Sequence, residues 1–520
     1  MDKEDENCDA KLQIVNRTRK YNVSKKFICS SVPYFEKMFS CDLLESKENK
    51  AEMDFDEHAF DAILNWIHSE FFFTQMDYVI SFYEAADYLM INDNLLKPCL
   101  SYFHENFTLE HLPIVLPQVT KVSKLINLGS IENFICRHFL MINNTNIFLN
   151  YPVEVIESIL KLDLMVYSEY QIYESIMKWV NKKVDSRKAL LPQLLKSVRW
   201  SYMDFGDIIK IKDNELIKTL PNLDFIEYYV CFNRCKQNFF ISIHQIDTST
   251  LRINAFDNDF FCFMIGDFIQ DDSMSLEFVH GEHNSDILFD SGTKGIRIDW
   301  IKKTFRWLDF KVKGKTYYSK FIKFIVKFSP SLRVSDDCYF EDKDAKLPDS
   351  ISSEEKLLLE SNGKFIVIGK TTDEKKLFGL FPAKCPSWFN NYRDHERSFK
   401  ATVLNDVVYI LTKDLEFIQF NYETKCFDKS EPFKEEKWDF NDSILTSHQT
   451  NDDKVILVNK SSGKVYVFCI KQKKWIEKYR IMTVKFFSDS SCAHVNKLVA
   501  FTSTFLPMKV IEPLYDQSDN

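Results

Sequence analysis

The chain has 520 residues, 45% of them apolar, and a formal charge of −9. That length and apolar content suit two to four domains with real cores. The acidic balance argues against a nucleic-acid binder held by phosphate contacts.

The polar, acidic start MDKEDENCDAKLQ does not read as a secretory signal, and no run of 18 uncharged apolar residues occurs. Neither a membrane span nor a membrane partner is expected. The thirteen cysteines are scattered. Neither Cys231-x3-Cys235 nor Cys136-x-His138 is joined by a second pair at zinc-ligand spacing, so free thiols in a reducing cytosol, with no metal, are the expectation.

From about residue 30 to residue 230 apolar residues recur at helical spacing. DEHAFDAILNWIHS sets Phe60, Ile63, Leu64 and Ile67 on one face, with Asp56 as the N-cap. YVISFYEAADYLMINDNLLKPCLSYF continues the pattern, and Pro98 opens or bends its last helix. SEYQIYESIMKWVNKKV aligns Ile172, Ile176, Trp179 and Val180.

Residues 8 to 73 hold a strand with Asp9 at its start, a second strand, and then SSVPYFEKMF. Ser31 is expected to cap the helix that follows, with Pro33 in its first turn and Tyr34, Phe35, Met38 and Phe39 inward. This order resembles the BTB (POZ) domain, whose signature ends in S-x-Y-F-x-x-M-F. FDAILNWIHS and FYEAADYLMINDNL extend the resemblance over about 100 residues. Ser24 stands where that family commonly has a histidine.

IENFICRHFLMI, FLNYPVEVIESILKLDLMVYSEYQIYESIMKWV and LLPQLLKSVRW resemble the BACK domain that follows BTB in many adaptors. The resemblance implies a cullin scaffold as partner, docked by an apolar residue, any residue and a glutamate after the M-F helix. The matching positions are Leu43, Leu44 and Glu45; the bland reading is a core leucine and a solvated charge. The resemblance also implies a homodimer. Only seven residues precede Cys8, however, where relatives carry the segment that swaps between subunits. A weaker dimer, a monomer or a truncated start are the readings left open.

After about residue 236 the period falls to two, in runs such as FFISIHQI, GIRIDWI, VVYILT, KVILVN and KVYVFCI. NGKFIVIGKTT ends like a phosphate loop. Yet Gly363 is one residue too far from Gly369, and KFIVI alternates as a strand. A kelch repeat explains it better, with LFGLFPAKCPSWFNNY supplying Trp388 as the blade aromatic. Tyr409 and Ile456 lie 47 residues apart, and Phe427 and Trp475 lie 48 apart; Trp307 upstream takes the same role. Each such aromatic should cement one blade against the next. The spacing suggests about six blades in a degenerate, glycine-poor β-propeller. Only nine glycines lie beyond residue 235, so its turns must be altered.

His280-Gly-Glu-His283 misses the H-E-x-x-H spacing and sits beside turn residues. Asp271-Asp272 and Asp336-Asp337 read as solvated turns, and the sequon at Asn16 needs secretion to matter. No catalytic constellation, and no cofactor, is expected.

The combined expectation is a BTB domain over 8–106, a helical BACK domain over 107–235 and a kelch-like β-propeller over 236–515. The resemblance implies a non-enzymatic, cytoplasmic adaptor that joins a cullin ubiquitin ligase to a client of unknown identity. The alternative is a scaffold without ligase chemistry, such as an actin-associated protein or a cullin-occupying decoy.

Overall fold

Leu12 and Ile14 alternate with polar neighbours, and in a computed structural model their strand, β1 (Lys11–Asn16), is the centre of a three-stranded sheet. β2 (Arg19–Ser24) pairs antiparallel with it, from Lys11↔Ser24 to Asn16↔Arg19, and β3 (Lys50–Met53) pairs parallel, from Gln13↔Lys50. The structure describes residues 10–41, 44–220, 232–275, 283–290, 294–308, 399–424, 426–430, 438–448, 454–481 and 497–511. It also describes Phe433 and short β segments between 311 and 393.

Helices α1 (Lys25–Ser31), α2 (Pro33–Ser40), α3 (Leu44–Glu48), α4 (Glu57–Ser69), α5 (Val79–Tyr88) and α6 (Lys97–Asn106) pack around this sheet. Asp56 caps α4 by accepting from the Ala59 N–H, and Pro98 sits in the first turn of α6. Ser31 does not cap α2. It ends α1 and donates to the Phe27 carbonyl, while Val32 at the α2 N-cap makes no side-chain bond. Pro33, at the helix start, leaves one backbone donor fewer to satisfy there. Ser24, the departure from the BTB pattern, caps α1 through the Phe27 N–H. Asn16 is fully buried, and its amide exchanges two bonds with the Phe55 backbone (2.8 and 3.2 Å), so it serves packing.

The chain continues as α7 (Leu112–Val115), α8 (Leu128–Ile142), α9 (Asn146–Asn150), α10 (Val153–Leu160), α11 (Glu169–Lys182), α12 (Val184–Arg187), α13 (Leu191–Leu195), α14 (Phe205–Lys212) and α15 (Glu215–Lys218). One continuous apolar cluster runs from Leu12 through Phe60, Phe139 and Trp179 to Ile217. In α11, Ile172, Ile176, Trp179 and Val180 face it, as their spacing predicts.

By its packing the chain forms two units, Met1–Cys235 and Lys236–Asn520. The second is all β. β12 (Leu357–Ser361), β13 (Lys364–Lys370), β14 (Lys376–Leu380) and β15 (Ser387–Arg393) form one four-stranded antiparallel sheet. β16 (Phe399–Leu404), β17 (Val407–Thr412), β18 (Phe417–Asn421) and β19 (Cys426–Ser430) form a second, and β20 (Ser443–His448), β21 (Lys454–Asn459), β22 (Lys464–Cys469) and β23 (Lys474–Arg480) a third. The apparent phosphate loop is thus strand β13, hydrogen-bonded on both sides.

A seven-stranded sheet contains β24 (Lys497–Pro507), β4 (Lys236–Gln245), β5 (Thr250–Phe256), β6 (Cys262–Gln270), β9 (Thr304–Trp307), β8 (Lys294–Asp299) and β7 (Asn284–Phe289), in that order. β24 thereby joins the far end of the unit to its first strand, from Lys497↔Gln245 to Pro507↔Lys236. A two-stranded ribbon pairs β10 (Lys311–Val312) with β11 (Lys315–Thr316). The first strands β12, β16, β20 and β24 neighbour one another in succession. This is how propeller blades are arranged around an axis.

Period-two alternation explains how such blades stack. In β17, Val408 and Ile410 face the core shared with Leu359, whereas Tyr409 and Leu411 face the next blade. In β21 the assignment repeats: Val455 and Leu457 face back, and Ile456 and Val458 face forward to Phe240 and Phe501. Trp475 sits edge-on to Phe417 (4.8 Å) and near Phe468 (5.1 Å), bridging two blades. Phe427, expected to bury a ring in the equivalent role, is 40% exposed on the outer strand β19. Trp307 is half-buried against Phe305 within its own sheet, and the Trp388 side chain lies outside the described residues.

Several of the described turns of the β unit do without glycine. Asp290, Lys303, Asn405, Leu415 and Lys473 adopt left-handed backbone at φ between 51 and 61. That costs roughly 1 kcal/mol each relative to glycine. Gly463 (φ 70) needs its glycine, because a Cβ there would stand 2.3 Å from the Ile481 carbonyl oxygen.

Candidate protein-interaction surface

The signature helix α2 is fixed by alternating demands on its side chains. Phe35 is buried and stacks on Phe39 at 6.4 Å, while Tyr34, Met38 and Phe39 are half-buried against the same core. Lys25 extends over the Phe39 ring at 4.6 Å and donates to Asn49 Oδ1 at 2.6 Å, closing that end. At the other end the Tyr34 ring meets Tyr88 at 5.0 Å, with their hydroxyls 3.4 Å apart. Burial, joined by the Tyr88 hydroxyl and the Glu45 charge, pushes the Tyr34 phenol up to about 12. The Tyr34 phenol therefore stays neutral at physiological pH.

Glu45 lies in the first turn of α3 and is half-buried. Leu44 is helical, and Leu43 lies outside the described residues. Tyr88 (53% exposed) and Met90 (39%) extend this surface. Met90 is held by a left-handed backbone (φ 61), and Lys37 Nζ lies 3.5 Å from its sulfur. The result is an aromatic and thioether surface beside a carboxylate, a composition suited to a protein partner.

Sequence reasoning missed Tyr88 and Met90. The signal for Tyr88 was available, since it falls off the buried stripe Val79, Ile80, Phe82, Ala85 and Ala86. The turn that presents Met90 has no such sequence mark.

A second missed constellation lies at the end of the helical unit. Glu169 and Arg234 are both fully buried and form a two-pronged ion pair (2.7 and 3.1 Å). Arg234 also donates to the carbonyls of Leu160, Leu162 and Ser197, and Glu169 accepts from the Arg199 N–H. Each polar atom of the pair thus has a partner, the condition under which a buried charge is tolerated.

Among the described residues no group of His, Cys, Asp or Glu is placed to hold a metal ion. His283 is an exposed turn residue, and His280 lies outside the described residues, as do Asp336 and Asp337. Asp271 accepts from the Ser273 N–H and hydroxyl in a tight exposed turn. Among the described residues no helix is long and apolar enough to cross a membrane.

The chain thus combines a BTB-type sheet with helices, a helical array and propeller-like blades. A BTB/POZ domain model matches residues 1–106, and the model described as "BTB And C-terminal Kelch" (BACK) matches residues 118–211. The first 211 residues thus carry BTB and BACK domains, and the relatives they match are Kelch-like proteins.

It is similar to Kelch-like protein 6 of Homo sapiens (25% identical over 209 residues, 39% of this chain and 33% of that one). Kelch-like protein 40 of Xenopus laevis is 26% identical over 209 residues (38% and 33%). Kelch-like protein 28 of Mus musculus is 26% identical over 218 residues (41% and 37%). The match spans about a third of the length of these relatives. Apo AztD from Citrobacter koseri aligns with 52% of this chain and 98% of its own at 9% identity, with a TM-score of 0.24, too low to bear on the fold.

Proposed function

We propose that the protein is a substrate-recognition adaptor of a cullin-RING ubiquitin ligase. Residues 8–106 form the BTB domain that docks the cullin, 107–235 form the BACK spacer, and 236–515 form the propeller that binds the client. Ubiquitin transfer belongs to other subunits; this chain contributes proximity and carries no catalytic group of its own. Its place of action is the cytoplasm. The observation that carries the reading is the order of BTB and BACK domains ahead of an all-β unit.

Leu43 supplies the apolar anchor, and Glu45, beside Tyr34, supplies orientation and partner choice. The full-length chain should retain the N-terminal region of a BTB-recruiting cullin in a pull-down. Leu43→Ala with Glu45→Ala should weaken that binding by about tenfold to a hundredfold, the scale of losing two interface contacts. Light scattering of the same samples gives the stoichiometry, including whether the chain is a homodimer. Retention unchanged by the double substitution rejects the docking residues. A folded chain that ignores the cullin favours the non-ligase scaffold.

A further inference from the structure

Among the described residues two methionines are exposed, Met264 at 66% and Met90 at 39%. Met264 lies on β6 and has no polar partner among the described residues. Met90 stands beside the signature helix α2. Lys37, in the last turn of α2, holds its ammonium 3.5 Å from the Met90 sulfur and has no carboxylate partner among the described residues. The backbone fixes this meeting. Met90 follows α5 in left-handed conformation (φ 61), its N–H donates to the Asp87 carbonyl at 3.1 Å, and the Ile91 N–H donates to the Ala86 carbonyl at 2.9 Å. Glycine is the usual residue at such a helix end, so the thioether is held where a residue without a side chain would be favoured.

A thioether sulfur is a weak acceptor, so the ammonium beside it makes a weak bond. A sulfoxide oxygen is a polar acceptor, and the same ammonium bonds it with charge assistance, about twice as strongly as a neutral donor does. Lys37 is exposed, so its stem is free to swing toward an added oxygen. Oxidation at this sulfur therefore exchanges a weak contact for a strong one. It also places a dipole where the surface around Tyr88 and Tyr34 offered an apolar contact.

We propose that Met90 is a site of reversible oxidation by a hydroperoxide, and that its sulfoxide, held by Lys37, loosens cullin docking on this surface. The effect on docking rests on the adaptor reading; the oxidation site does not. In the step, a sulfur lone pair takes one oxygen of hydrogen peroxide as the O–O bond breaks. The sulfur is oxidised by two electrons and the peroxide is reduced. The proton of the transferred hydroxyl passes to the departing hydroxide, which leaves as water. The Lys37 ammonium lies within reach of both oxygens, stabilising the departing hydroxide first and the sulfoxide afterwards.

The test treats the full-length chain with dilute hydrogen peroxide and then restores its thiols with dithiothreitol. Peptide mass spectrometry follows the gain of oxygen at each methionine. Met90 is expected to oxidise at least as fast as Met264 despite its lower exposure. Lys37→Ala should slow Met90 by about fivefold, the scale of one hydrogen bond, and leave Met264 unchanged. A pull-down with the cullin N-terminal region then compares treated with untreated protein within each variant. Treatment should lower retention by about fivefold or more in the parent and in Met264→Leu, and cause no further loss in Met90→Leu. Methionine sulfoxide reductase should restore the parent. Thermal melting checks each variant; if Met90→Leu does not fold, Met90→Ala replaces it with the same expected result.

Met90 lagging behind Met264, or keeping its rate in Lys37→Ala, overturns the site. Retention unchanged once Met90 is oxidised, or a loss that persists in Met90→Leu, overturns the effect on docking. So does a treated parent that melts well below the untreated one, since the loss is then unfolding. A chain that ignores the cullin before any treatment rejects the adaptor reading and the effect on docking with it, and the mass spectrometry still decides the site.

Discussion

The helical and the β unit are stabilised by different geometries. In the first unit one apolar cluster extends from Leu12 to Ile217, through both the BTB and the BACK segments. In the second, separate cores lie between successive blades, one around Ile410 and Phe420, one around Phe417 and Tyr466, one around Ile456 and Phe501. A continuous core couples distant residues, whereas stacked cores couple only neighbours, as in other repeat architectures. Damage in the helical unit should therefore spread, and damage in the β unit should stay near the blade it strikes.

The largest effect tests the coupling of the helical unit. Arg234→Met leaves Glu169 as an unpaired buried charge and should cost about 3–5 kcal/mol in urea unfolding of that unit. Pairing it with Glu169→Leu removes the orphaned carboxylate and should restore most of the loss. If the double variant is as unstable as the single one, the pair stabilises by packing alone.

The next tests locality among the blades. Trp475→Ala, at a half-buried ring, should cost about 2–3 kcal/mol. Hydrogen exchange should rise in β16–β19 and β20–β23 and remain unchanged in β4–β5. Phe427→Ala, at the exposed equivalent position, should be nearly silent. Exchange that rises across the whole β unit would reject the stacked-core description.

The smallest is a pH effect confined to the β unit. His244 in β4 is buried within 3.0 Å of the Ser242 hydroxyl. Burial, with the Arg252 charge, pushes its imidazole down to about 4. The folded protein thus binds that proton less readily than the unfolded chain does. Its contribution is fully present above pH about 6.5 and is lost as pH falls toward 4, amounting to about 2 kcal/mol between pH 7 and pH 5. Urea midpoints at those two pH values should differ by that amount in the parent, and by less in His244→Gln.

The sequence by itself determined the elements whose rule is local. Asp56 caps its helix, Pro98 opens its helix, and the α11 stripe faces inward, because capping, φ restriction and a 3.6-residue period act within a few residues. The signature from Tyr34 to Phe39 is likewise legible, and so is the rejection of a phosphate loop at Gly369, since spaced glycines and a following helix are local requirements. The same holds for the two-residue period that sends Tyr409 and Ile456 to equivalent faces of successive blades.

The tertiary structure alone decided which side chains from remote segments meet. Ser31 lost its expected capping role because α1 continues through it. Phe427 stayed 40% exposed although Trp475, on the equally outermost strand of its own sheet, is half-buried against Phe417 and Phe468. Glu169 meets Arg234 across 65 residues, and Asp290 meets Lys400 across 110. No periodicity encodes those meetings; they follow from chain topology, and burial then fixes how strongly the charges act on one another.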